Sequence, residues 1–150
     1  MARTSNDVPA PQVANLNSLA NNAAKPLGLI DFETNSAHDA TIKIMAQLAA
    51  AGVSVTGTIE LYFIGTQDGT DWTDGIDPAS AVDVSASIKN AVRLGVIKAD
   101  VNGLLVTKIV DIFSAVGNGF KQGCVVAWNK SGAATQAAGN DADYQTTNYG

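Results

Sequence analysis

Charge is what this sequence has least of. Lys, Arg, Asp and Glu make up 15% of its 150 residues, against about 25% in an ordinary soluble domain. Little charge is left to keep copies apart, so a surface rich in Ala, Asn, Thr and Ser suits burial in an assembly. The nine Lys and Arg residues are scattered with no two adjacent, and the net charge is −5. That distribution lacks the basic stripe that phosphate binding needs, which excludes a nucleic-acid partner. Cysteine occurs once, as Cys124, so no internal disulfide can form. It lies in the apolar run Cys124-Val125-Val126-Ala127-Trp128, where a thiol acts as a small buried hydrophobe. No apolar stretch approaches the length of a membrane span, and the N-terminus lacks the apolar region of a secretory leader. The expectation is a protein made in a cytoplasm, with no membrane partner. Proline is absent after Pro78, which leaves the second half free of ladder breakers.

What is present is alternation. In residues 57–65, Ile59, Leu61 and Phe63 point one way and Glu60, Tyr62 and Ile64 the other, the period of two of a strand. Strands are likewise expected at 27–32, 91–98, 104–113, 122–129 and 142–148. Residues 41–48 fit both periods. Strand is favoured over helix there because Gly52 and a β-branched run follow. Asn102-Gly103 reads as a hairpin turn joining 91–98 to 104–113. Residues 78–90 form the one long connection, holding a short helix or a crossover between sheets. No βαβ rhythm appears, so the fold class is all-β, an antiparallel β-sandwich or jelly roll of residues 27–150.

Residues 1–26 read as an extended N-terminal arm. Pro9 and Pro11 hold the chain extended, Asn15, Asn17, Asn21 and Asn22 keep it polar, and Leu16 and Leu19 suit a short helical turn. Such an arm is either a free tail or a segment that orders against a neighbouring subunit. On this reading, deleting residues 2–20 leaves a folded core. Pro9, Pro11, Leu16 and Leu19 are accordingly candidate contact residues.

Catalytic chemistry is hard to place. His38 is the only histidine, and no nucleophile elbow accompanies it. One His and one Cys are too few for zinc. Asp68, Asp71, Asp74 and Asp77 recur every third residue and offer hard oxygen ligands for Ca²⁺, but Asp68-Gly69 and Asp74-Gly75 are already accounted for as turns. The expectation is therefore no cofactor, no metal and no enzyme. Trp72, in a polar loop between Asp71 and Asp74, is either loop packing or a contact residue. Trp128 reads as core. With Tyr62, Tyr144 and Tyr149 these aromatics suggest a second possibility, a platform on which sugar rings stack.

The run VTGTIELYFIGTQDGTDWTDGI, residues 55–76, resembles a segment recurrent in small bacteriophage virion proteins. Val125 to Ala134, VVAWNKSGAA, is similar to a strand and turn of the same chains, and the resemblance extends over about residues 40–148. The best-fitting members are capsid decoration, or cement, proteins of tailed phages; others are neck or tail components. The resemblance implies a location on the virion, binding to a major capsid protein, and a homo-oligomer, most often a trimer. The contact residues it leaves open are those of the arm together with Asp71, Trp72 and Asp74.

Overall fold

The computed structural model describes residues 2–34 and 36–149, the side chain of Tyr149 excepted. Eight strands alternate with turns: β1 (Arg3–Pro9), β2 (Ala24–Asp31), β3 (Asp39–Gln47), β4 (Thr58–Thr66), β5 (Val92–Lys98), β6 (Leu105–Asp111), β7 (Gln122–Lys130) and β8 (Asp141–Tyr149). A one-turn helix α1 (Ile112–Val116) follows β6, capped by Asp111, whose carboxylate accepts the Ser114 N–H. The ambiguous segment 41–48 is a strand, as expected.

Two four-stranded antiparallel sheets form, in the orders β1-β8-β3-β6 and β2-β7-β4-β5. Strand β1 pairs with β8, β2 with β7, β3 with β6 and β4 with β5. Each strand thus finds the one equally far from the other end of the chain, as if a single long hairpin had been rolled up. That is the jelly-roll arrangement of two Greek keys. The two inner faces interdigitate to form one core of Ile42, Ile44, Ile59, Leu61, Val125, Ala127 and Tyr144 among others, all essentially without solvent contact. Tyr144 crosses this core and keeps its hydroxyl satisfied: it donates to the Gly28 carbonyl at 3.0 Å and accepts the Val125 N–H at 2.9 Å.

The Asn102-Gly103 turn does not close a hairpin. Strands β5 and β6 belong to different sheets, so this turn carries the chain from one sheet to the other. Gly103 still has positive φ, as the sequence demanded, but its N–H donates to Ala49 O and the Asn102 side chain accepts the Val53 N–H. The turn is held by the 48–57 loop instead of a ladder of its own. In β5 a bulge opposite Leu61 and Tyr62 shifts the phase, so Ile97 is buried and Val92 exposed. The residues 78–90 do not cross between sheets either, since β4 and β5 are neighbours; they contain a 3-10 turn at Ser85–Ser87.

The N-terminal segment is a correction to the expected arm. Only β1 lies outside the core. Residues from Ala10 onward are built into the sandwich: Leu16 and Leu19 are fully buried and β2 already begins at Ala24. The asparagines that made the segment look solvated are partly structural. Asn15 donates to Pro26 O and Ser80 O, and Thr135 accepts the Leu19 N–H. Polar side chains that pin backbone carry no hydrophobic period, so the segment looked unfolded in sequence.

Candidate functional site

The two outer faces of the sandwich differ. The long connection 67–91 folds back over the outer face of the β2-β7-β4-β5 sheet and makes a second small core. Ile76 and Val84 from the loop bury Ile64, Cys124 and Val126, with Trp72 and Ile88 packed at its margin. The loop also closes the β2 edge, where Ala24 donates to the Asp83 carboxylate and Val84 donates to Ala24 O. Cys124 is therefore buried from both sides, and burial pushes its thiol up to about 12.

The loop aspartates hold this flap in place. Asp68 accepts the N–H groups of Asp71 and Thr70 and the Thr66 hydroxyl, which hold its carboxyl well below the usual range. Asp74 sits at φ 59° and accepts the N–H groups of Lys89, Asn90 and Ala91. Partial desolvation opposes its charge, but those donors outweigh it and its carboxyl is lowered. Asp77 accepts from Ala79 N. The triplet spacing thus spreads staples along a loop; Asp68 and Asp74 face different donors. Among the described residues, no group of three or more His, Cys, Asp or Glu lies close enough to hold a metal ion.

Trp72 is half-buried. Its ring packs on the small core, and two shallow depressions lie beside it. One, of about 490 Å³, is lined by Asp68, Asp71, Trp72 and Phe120; the other, of about 360 Å³, by Asp71, Trp72, Ile76 and Asp77. Asp71 and Trp72 are thus brought together, while Asp74 is committed to the flap. Phe120 was not singled out from sequence, because nothing local marks a residue of the 117–121 loop as neighbour to residue 72. His38 lines a separate open groove of about 450 Å³ with Glu33, Ser36 and Lys121. There Lys121 is paired with Glu33 at 3.4 Å.

Of the remaining aromatics, Tyr144 is core and belongs to no surface platform. Trp128, expected in the core, is half-buried and packs at the margin of the small core under the flap. Its indole N–H donates to Asn22 O, Tyr62 tilts against it at 5.9 Å, and the Lys130 ammonium sits 4.0 Å from its ring centroid. Lys130 in turn pairs with Glu60 at 2.9 Å, and Glu60 accepts the Tyr62 hydroxyl. With a cation on its face, Trp128 is a poor stacking surface for a sugar.

The other sheet has no flap. The outer face of β1-β8-β3-β6 presents Thr41, Met45, Gln47, Gln145, Leu105 and Ile109 around the Lys43–Asp143 ion pair. Ile109 is 66% exposed and Leu105 43%. Sequence reading missed this surface because Leu105 and Ile109 fall in an alternating strand whose other face, Val106 and Val110, is equally apolar. Of the arm residues, Pro9 and Pro11 flank the end of β1, whereas Leu16 and Leu19 are core and can contact no partner.

Among the described residues no helix is long and apolar enough to cross a membrane. No protein-family model matches the chain, and no curated protein sequence matches it. Among solved structures it is similar to a chain of the Israel acute paralysis virus pentamer. The TM-score is 0.27 at 9% identity, over 96% of this chain and 83% of that one. A superposition so loose carries no argument about function.

Proposed function

We propose that this chain is a virion structural protein, and most specifically a decoration or cement protein that binds a major capsid protein on the outside of a phage shell as a homo-oligomer. The observation that carries this reading is the uncovered face of the β1-β8-β3-β6 sheet. It is left open by the loops and bears Leu105 and Ile109 among polar groups and the charges of Asp7, Lys43 and Asp143, while the opposite sheet is roofed by its own loop. Large apolar side chains left exposed on an uncovered sheet mark a surface that a partner can cover. A jelly roll is also a fold that viral shells use, although lectins and cupins share it, so the fold adds only consistency. The resemblance of residues 55–76 to phage virion proteins supports a place on a phage particle. Cement function needs no catalytic group. Each copy adds a modest contact, and repetition over the shell multiplies it.

The test is co-sedimentation of the purified chain with capsids that lack it. Ile109→Asp places a charge in the proposed contact at an exposed position, so the variant should stay folded and lose capsid occupancy by ten-fold or more, the effect of about 1.4 kcal/mol. Wild-type occupancy by that variant would remove this face from the contact. Localisation to the neck or tail by immunogold microscopy would move the role to the alternative virion position. A second reading, glycan binding, is favoured by the half-exposed Trp72 ring between two depressions with Asp71 beside it. It predicts retention on a glycan array that Trp72→Ala abolishes.

A further inference from the structure

We infer that β1 is an exchangeable strand, which pairs in solution with β8 of a second copy of this chain while its own β8 receives the partner's β1. The inference deepens the reading of the protein as an assembling component, but it rests on a different part of the molecule. All seven residues of β1 are exposed. Its attachment is a backbone ladder, running from Arg3 opposite Tyr149 to Pro9 opposite Asp143. Immediately beyond it the chain is fixed: Ala10 is buried, Gln12 donates to Leu27 O, and Leu16 and Leu19 fill the core. The molecule therefore has a boundary between an exposed strand held chiefly by main-chain bonds and a body held by packing. That boundary falls at Pro9-Ala10-Pro11: Pro9 ends the strand, and Pro11 opens the turn that the Val13 N–H closes on Ala10 O.

The occupant of the vacated position follows from the ladder itself. With β1 gone, β8 presents a row of unpaired N–H and C=O groups in the register of β1, beside its own buried Tyr144 and Thr146. Any copy's β1 satisfies that row with the same bonds, so exchange loses no native contact except at the hinge. At the hinge it gains some. An apolar slot of about 160 Å³ opens beside β1, lined by Val8, Pro11, Leu29, Ile30 and Tyr144. Val8 is 49% exposed there and Leu29 37%. In an exchanged pair the two hinges pass one another at this slot, and each covers the other's Val8 and Leu29. Seven residues of strand reach about 23 Å, enough to seat β1 fully on an adjoining copy.

The experiment uses the full-length chain carrying Asp7→Cys and Gln145→Cys, positions that face each other across the ladder. Cys124 is buried and does not compete. After mild oxidation at assembly concentrations, a denaturing non-reducing gel should show covalently linked dimers or higher closed multimers as the main product. Monomers whose two new thiols are consumed internally would overturn the exchange. If no disulfide forms, the mass in solution decides. Full-length chain with Asn6→Pro and Asp7→Pro cannot make the ladder, and should fall from multimer to monomer mass by light scattering; equal masses for the two chains overturn the proposal. Because both readouts are taken on the protein alone, capsid binding can fail while exchange holds, and the reverse.

Discussion

At the scale of single residues, two glycines under aromatic rings are tightly constrained. All four phenylalanines of the chain gather at one end of the sandwich. Phe63 stacks with Phe32 at 6.4 Å and meets Phe120 edge-on at 5.1 Å, while Phe113 sits edge-on to Phe32. This plug fits only because Gly65 and Gly123 have no side chain. A Cβ on Gly123 would stand 2.5 Å from Phe63 and 2.7 Å from Phe32. Gly123→Ala should therefore destabilise the fold by about 1–3 kcal/mol through overpacking, measured as a lower urea midpoint at unchanged slope. Cys124 gives a pH signature. Its thiol titrates at 9.0 when free and at about 12 in the fold, so in that window the unfolded chain loses a proton that the native chain keeps. Stability conferred by the neutral thiol is complete below the lower value and declines as pH rises, by up to about 1.4 kcal/mol per unit. Cys124→Ala should be less stable at neutral pH, yet show a shallower fall in urea-derived stability through the alkaline window. Parallel slopes would show that the site opens to solvent before it titrates.

At the scale of elements, the strands were largely legible and their partners were not. Alternation is a local property, so β3 and β4 could be read where Ile, Leu and Phe recur at every second position. β1, with the sequence RTSNDVP, has no apolar face because none of it is buried. Asn102-Gly103 shows the complementary failure: the dipeptide specifies positive φ, and nothing in two residues says whether the next strand joins the same sheet. β7 is apolar on both faces for part of its length because the flap covers its outer side, and Trp128 packs at the margin of that second core. The same ambiguity hid Leu16 and Leu19, whose neighbours Asn15 and Asn17 read as solvated. The consequence is measurable. Truncation after residue 20 removes two fully buried leucines and the Asn15 bonds. It should abolish cooperative unfolding, since each Leu alone is worth about 2–5 kcal/mol. Truncation confined to residues 2–9 should leave a cooperative transition. A folded chain lacking residues 2–20 would mean that the N-terminal segment is an arm after all.

At the scale of the whole molecule, the jelly roll leaves two sides where strand edges face outward, and the sequence manages them differently. On the side of β5 and β6, Lys108 points inward from β6 and donates to Val96 O of β5 at 3.0 Å, its stem lying over Gly95. An inward charge on an edge strand discourages a foreign strand from joining there. On the side of β1 and β2, the flap bonds to β2 while β1 stays bare. Trp72 was marked in sequence by its polar loop, but Ile109 and Phe120 acquire meaning only once two sheets and a flap decide what is left uncovered.

The nested pairing also sets the order in which the protein can come into being. Strand β8 lies between β1 and β3, so the first sheet has a gap at its centre until the last strand has left the ribosome. Until then β1 waits for a partner at the far end of its own chain, and β3 has only β6. Contacts this distant in sequence close slowly. If β1 exchanges as proposed, a neighbouring copy whose β8 is already in place offers the same ladder sooner.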